Sequence, residues 1–299
     1  MGRRRKRQPI PAAALKGRRQ PEVNGSETGA KNSNLVASYD RPLSKDLSEN
    51  VDILKQLLGN SDDIIFRDFT IGNANELKAV LILVDGLVDK ESLQLNVMTP
   101  LMLWAKKIAA PAVTTPEAIR ALLSEHFLSF LELKEENNYP KVIDAILGAD
   151  AVLIIDGLDI AFILGAKKWE HRSISEPSNE NLIRGPREGF NELMKSSVAL
   201  VRRRIKDPKL TVKFVTVGQR SKTECAVLYL EDVANPVLVN EVRRRLELID
   251  YDGILDSGFI EQFIQDSPYS PFPQIQYTER PDRVAAAILE GRIAIISDG

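Results

Sequence analysis

The stretch Ser175–Pro208, SEPSNENLIRGPREGFNELMKSSVALVRRRIKDP, couples a polar loop to an apolar-periodic segment that ends in consecutive arginines. Pro177, Gly185, Pro186 and Gly189 restrict or free the backbone and so specify one path for the loop. Apolar residues then recur at Phe190, Leu193, Met194, Val198, Val201 and Ile205, a spacing that predicts one face of a helix. Arg202, Arg203 and Arg204 fall in its last turns, where cations oppose the negative end of the helix dipole, and Asp207-Pro208 stops it. By local chemistry alone this is a capped surface helix. Successive helix positions differ by about 100°, so the three arginines cannot all face one way.

Outward from this stretch, the pattern alternates between strand and helix signals. Toward the N-terminus, Leu47, Val51, Leu54 and Leu58 share a helix face, and Ile64–Phe69 and Ala79–Val84 read as strands. Asp89 is placed to cap a helix through Leu93, Val97 and Leu101. Pro111 and Pro116 bracket a loop before a helix over 117–123. A further helix over Tyr139–Leu147 precedes the apolar runs 152–155 and 160–164. Toward the C-terminus, 211–217 and 223–230 form a hairpin joined by Gly218–Lys222, and Asn235-Pro236 opens a helix as cap and first position. A short helix over 259–264, a helix from Pro281 to near Gly291 and a strand over 292–296 complete the chain. The expected fold class is α/β. Two mixed α/β subdomains, 46–166 and 179–299, are joined by a polar linker over 167–178 that holds Trp169 and His171, and residues 1–45 form a disordered basic tail and linker.

Two segments carry a family resemblance. The run Arg184–Phe190, RGPREGF, followed by Arg202–Ile205, RRRI, resembles the hallmark of the A subunits of spore germinant receptors, the GerA family. The final segment Glu279–Gly299, ERPDRVAAAILEGRIAIISDG, is similar to the one that directly precedes that family's membrane-spanning region. The resemblance covers roughly 47–299 and is strongest after Ser175. One departure stands in mid-helix, where Lys195, Ser196 and Ser197 replace the Arg-Thr-Asn that members often carry.

The resemblance implies a soluble N-terminal domain on the cytoplasmic face of the spore inner membrane, with a membrane part following Gly299. It implies work with receptor B and C subunits in sensing nutrients such as amino acids, sugars or ions, in receptor assembly, and in the signal transduction that triggers germination. The polar linker and the position of the final strand are consistent with a relay by movement of the two subdomains about 167–178, passed through that strand. No cofactor is implied.

Composition sets bounds on the alternatives. The chain has 299 residues, 43% hydrophobic and 27% charged, within the ordinary globular range. Its net charge of −2 conceals an asymmetry: the first twenty residues hold eight Lys or Arg and no acid, which leaves 32 basic against 42 acidic residues in the remainder. Such a tail suits an anionic membrane surface, and no zinc, RNA-recognition or helix-turn-helix pattern points to specific nucleic-acid binding. No apolar core follows Arg3–Arg7, so the start is not a secretory signal. Cys225, the single cysteine, lies in an apolar strand and is expected to be a buried, inert thiol.

Three apolar runs end in Asp-Gly, at Asp85, Asp156 and Asp298. A carboxylate at a strand end is able to hold magnesium or a ligand amine, which makes Asp85 and Asp156 site candidates, although Asp-Gly is also a common turn pair. Arg184 and Arg187, with Glu188 beside them, suit a clamp that holds the loop onto its own domain or onto a neighbour, or else serve as capping and solvation groups. Phe190 and Arg202–Arg204 complete the candidate set. His126 and His171 are too far apart for a local zinc set, and no nucleophile elbow, Walker loop or dinucleotide fingerprint occurs. The acid pairs Asp62-Asp63 and Glu135-Glu136 read as solvated surface. An enzyme is therefore not expected, and a stand-alone small-molecule-binding α/β protein or enzyme is the alternative. The loop Ser267–Tyr277 is stiff and aromatic, and Tyr269 and Phe272 are expected to pack on the domain's own core more readily than to serve as a docking surface.

Overall fold

In the computed structural model the described residues are 41–71, 77–104, 120, 132–168, 180 and 188–299. The basic tail, the helix expected over 117–123 apart from Arg120, and most of the linker lie outside them. Among the described residues the elements run α1 (Leu47–Leu58), β1 (Ile64–Ile71), β2 (Leu77–Val84), α2 (Lys90–Leu93), β3 (Leu133–Glu136), α3 (Tyr139–Leu147), β4 (Ala151–Ile155) and β5 (Ala161–Leu164). They continue as α4 (Met194–Arg204), β6 (Leu210–Val217), β7 (Thr223–Leu230), α5 (Pro236–Glu247), α6 (Ser257–Ile264), α7 (Pro281–Leu289) and β8 (Ala294–Ser297). Helix α2 passes into π-helical turns over Gln94–Met98 and Pro100–Trp104. Asp89 caps it, accepting hydrogen bonds from the Glu91 and Ser92 amides.

The result is a mixed α/β fold with two antiparallel sheets, ordered β1-β2-β4-β5-β3 and β6-β7-β8. In the first sheet the continuous apolar runs of β2, β4 and β5 are buried on both faces, as such runs require. Val80, Ile82, Val152 and Ile154 face α1 and α3, whereas Ala79, Leu81, Leu153 and Ile155 face Leu93, Val97 and Leu101 of the α2 stretch. The edge strands β1 and β3 carry the charges, which is how sheet edges resist pairing with another chain. Strand β3 was not expected. It contains Glu135 and Glu136, the first hydrogen-bonded to Arg120 and the second to Lys141.

The second sheet is covered on one face by α4 and α7 and on the other by α5 and α6. The expected hairpin over 218–222 forms between β6 and β7. Asn235 caps α5 by accepting from the Val237 amide. Two expectations fail here. Helix α4 starts at Met194, so Phe190 and Leu193 precede it, and Leu193 is 61% exposed. Tyr269 and Phe272 do not pack inward; they are 98% and 77% exposed, on a loop closed on itself by Gln274, whose side chain accepts from the Asp266 and Ser267 amides and donates to the Ser267 carbonyl.

Cys225 in β7 is fully buried, and that burial, with the Asp298 charge nearby, pushes its thiol up to about 11. Since the thiolate is the reactive form, the native protein is expected to react with a thiol reagent at pH 8 about a hundredfold more slowly than the unfolded chain. Equal rates before and after denaturation would refute the buried placement.

Candidate functional site

Helix α4 lies between the two sheets, and that position explains why it is not a surface helix. Met194, Val198, Val201 and Ile205 pack into the core of the second sheet, whereas Ala199 joins the core of the first. Ser197 and Arg202 are also buried, so almost the whole circumference is covered. Its first turn lacks a side-chain cap of its own, since Leu193 stands at the cap position. The cap is supplied from the far end of the chain: Asp298 accepts a hydrogen bond from the Met194 amide at 2.9 Å. The Gly299 amide donates to the Glu192 carbonyl at 2.9 Å, and the Asp298 amide to the Glu224 carbonyl at 2.9 Å. The exit from β8 is thus tied to the start of α4.

At the other end of α4, the Arg202 guanidinium is sealed from solvent against Asp63, with the two side chains 0% and 1% exposed. Its Nε donates to Asp63 Oδ2 at 2.9 Å and its Nη2 to Asp63 Oδ1 at 2.8 Å, the bidentate geometry in which arginine binds carboxylate best. Ser61 completes the set. Its hydroxyl donates to Asp63 Oδ1 at 2.7 Å and accepts from Arg202 Nη2 at 3.1 Å and from the Val212 amide at 2.8 Å, which uses the donor and both lone pairs. Asp62 accepts from Lys213 Nζ at 2.8 Å and from the Phe214 amide at 3.0 Å, while its own amide donates to the Val212 carbonyl at 2.9 Å. The turn Ser61–Asp63 at the head of β1 is therefore bonded both to α4 and to the start of β6. A buried charge is costly unless paired and hydrogen-bonded, and here both conditions hold.

The Asp85–Gly86 turn at the end of β2 meets α4 one to two helical turns before Arg202. Gly86 sits at φ +80°, and a β-carbon there would lie 3.2 Å from the Ala199 methyl and 3.2 Å from the Lys195 carbonyl oxygen. Only glycine combines that backbone with so close an approach. Asp85 pairs with Lys90 at 2.5 Å and with Lys195 of α4 at 3.6 Å. Burial raises its carboxyl, but the Lys90 hydrogen bond and the charges of Lys90 and Lys195 outweigh this and hold it below the usual carboxylate range. The Asp85 amide donates to the Asp63 carbonyl at 2.7 Å, which joins the two turns into one contact surface for α4.

Arg184 and Arg187 lie outside the described residues. Glu188 is clamped by Arg204 at 2.6 Å and by Arg203 at 3.5 Å, while Arg204 Nη1 also donates to the Leu200 carbonyl at 2.7 Å near the helix end. Phe190 packs, half-buried, on the core of the second sheet. The three arginines divide as helix geometry demands, Arg202 inward and Arg203 and Arg204 onto Glu188. Asp156 is remote from this site: it accepts from the Leu47 amide at 3.2 Å at the start of α1, and Gly157 makes the turn at φ +85°. The reading of Asp62-Asp63 as solvated surface is corrected, since Asp63 is buried by its arginine. Ser61, Asp63 and Asp298 are the residues that sequence reasoning missed. One signal pointed to them: Arg202 is four residues after Val198 and so falls on the apolar face of the helix, where a charge requires a buried partner.

The family model described as Bacillus/Clostridium GerA spore germination protein matches residues 52–299. The chain is 38% identical over 264 residues to the uncharacterized membrane protein YfkQ of Bacillus subtilis (strain 168), covering 88% of this chain and 50% of that one. It is 37% identical over 257 residues to spore germination protein GerLA of Bacillus cereus, with 86% and 51% covered. It spans about half the length of these relatives. The crystal structure of the N-terminal domain of the A subunit of the Bacillus megaterium spore germinant receptor GerK3 superposes with a TM-score of 0.66 at 33% identity, covering 87% of this chain and 93% of that one. Among the described residues no helix is long and apolar enough to cross a membrane.

Proposed function

Because the chain belongs to the GerA family of Bacillus/Clostridium spore germination proteins, we propose that it acts as a non-enzymatic N-terminal domain of a germinant-receptor A subunit. In that role it takes part in nutrient sensing, in receptor assembly with B and C subunits, and in carrying the signal to a membrane-embedded part at the spore inner membrane. Its basic tail, residues 3–19, suits the anionic cytoplasmic face of that membrane.

The observation that carries this reading is the double attachment of α4. Its C-terminal turn is fixed to the first sheet through Arg202 and Asp63, and its first turn is fixed to the exit from β8 through Asp298. A displacement of the first sheet is transmitted along the helix to the segment that leads out of Gly299. Most of the expected hinge about 167–178 lies outside the described residues; any movement about it would have to keep the two sheets together at this point, because wide opening would expose an ion pair that is sealed from water.

The test is Asp298→Ala in the full-length subunit in spores. Loss of an N-cap acceptor weakens the helix start by about 1 kcal/mol, a change the fold tolerates. Germination, followed as loss of optical density across a panel of nutrients, is expected to slow severalfold while immunoblots show an unchanged receptor level. Germination at the unmodified rate would overturn the proposed path.

A further inference from the structure

An uncovered aromatic depression lies at the far side of the second sheet, where α5 gives way to α6. It has a volume of about 520 Å³ and is lined by Asp250, Tyr251, Asp252, Gly253, Leu255 and Phe259. Tyr251 stacks on Phe259 at 6.2 Å and leans on Phe263 at 5.4 Å. Leu248, Tyr251, Leu255 and Phe263 are nevertheless 63%, 47%, 72% and 45% exposed. Tyr251 is in contact with Phe259 and Phe263 beside the exposed Leu255, and exposed apolar side chains gathered at one polar-rimmed depression suit an interaction site. The surrounding segment is one-signed: from Glu247 to Glu261 it holds Glu247, Asp250, Asp252, Asp256 and Glu261 and no lysine or arginine. Arg243–Arg245 precede this segment, and Arg220 of the β6–β7 hairpin, 83% exposed, lies 3.5 Å from Asp252, a pair of the exposed sort that contributes little and exchanges readily. Gln219 Nε2 donates to Asp250 at 2.9 Å.

We infer that this depression binds residues 3–19 of the same chain. The complementarity runs in both charge and polarity. Arg3–Arg7 and Lys16, Arg18 and Arg19 flank a short apolar centre of Ile10, Ala12–Ala14 and Leu15, with no acid among them. The basic ends match the acids around the depression, and the apolar centre matches its exposed aromatics. Reach is sufficient: residues 20–40 span up to about 70 Å when extended, more than the roughly 50 Å width expected for a compact body of this size. The tail thereby has two competing surfaces, its own acidic depression and an anionic lipid face, and exchange between them couples this side of the second sheet to the membrane.

The test uses the full chain carrying Ala13→Cys, labelled with a benzophenone maleimide; the native Cys225 is buried and does not compete for the label. After irradiation, mass spectrometry is expected to place the cross-link within 247–263 of the same molecule. The yield is expected to fall at least about tenfold in Asp250→Lys/Asp252→Lys and in 1 M salt, where exposed pairs are screened. The tail variant Arg3→Glu/Arg4→Glu/Arg5→Glu, which leaves the folded part untouched, is expected to lose the cross-link equally. Cross-links scattered over the surface, a yield insensitive to these charges, or a product of twice the chain mass would overturn the inference. So would the absence of any cross-link in buffer together with capture of the tail by phosphatidylserine vesicles.

Discussion

Replacing Arg202 with methionine is expected to lower the unfolding free energy by about 3–5 kcal/mol, the range found when one partner of a buried ion pair is removed. Methionine keeps much of the apolar stem, so the loss is not chiefly one of volume. What remains is the Asp63 carboxylate, 1% exposed, holding a single side-chain donor in Ser61. For a domain of this size the midpoint of thermal unfolding should drop by roughly 10 °C. The companion variant Arg202→Met/Asp63→Leu discriminates the cause. With the orphaned carboxylate gone, most of the stability should return, because apolar replacement of a buried pair is often neutral or favourable. A double variant as unstable as the single one would show that the cost lies elsewhere than in the unpaired charge. The double variant also separates stability from function: it keeps α4 packed against the first sheet without the directional bonds that fix its position. If germination through the receptor requires those bonds, the refolded double variant should still signal poorly.

That expectation rests on residues the sequence disclosed unevenly. The sheets were legible because continuous apolar runs such as Val80–Val84 and Ala151–Ile155 have few alternatives to strands buried on both faces, and because Asp-Gly and Asn-Pro pairs punctuate them. The periodicity of Met194, Val198, Val201 and Ile205 likewise located one face of α4. It could not reveal the other faces. Ala199 and Ser197 are small enough to read as neutral surface positions; Ala199 is covered by the turn at Gly86, more than a hundred residues earlier in the chain, and Ser197 turns its hydroxyl to the Asn191 carbonyl. For the same reason Asp62-Asp63 read as solvated, since nothing local distinguishes a carboxylate that meets water from one that meets a distant guanidinium. Asp298 was read as one more Asp-Gly turn. Its work as the missing cap of α4 depends on β8 pairing with β7, a long-range contact that local pattern does not encode. The exposed aromatics Tyr269 and Phe272 went the other way: burial is the usual fate of such side chains, but the loop that carries them satisfies its backbone through Gln274 rather than by folding onto the sheet.

Gly86→Ala should uncouple the same junction from the opposite side. Two costs are expected. Alanine at φ +80° is strained by about 1–2 kcal/mol, and its methyl, 3.2 Å from both Ala199 and the Lys195 carbonyl, adds about 1–3 kcal/mol by overpacking. Gly157 supplies the control. It has nearly the same φ, +85°, but a β-carbon there would meet nothing within 4 Å, so Gly157→Ala carries the positive-φ strain without the wedge. The difference between the two variants in chemical denaturation therefore measures the fit of the Asp85–Gly86 turn against α4, and it should favour Gly157→Ala by about 1–3 kcal/mol. Equal destabilisation would mean that the turn and the helix are not in firm contact. The functional outcome should divide in the same way. In spores, Gly86→Ala pushes α4 away from the first sheet and should slow germination at unchanged receptor level, whereas Gly157→Ala, remote from α4, should not. If both slow it equally, general destabilisation is responsible and the helix has no special part in carrying the signal; if only Gly86→Ala does, the path from the first sheet through α4 to the β8 exit is the one the receptor uses.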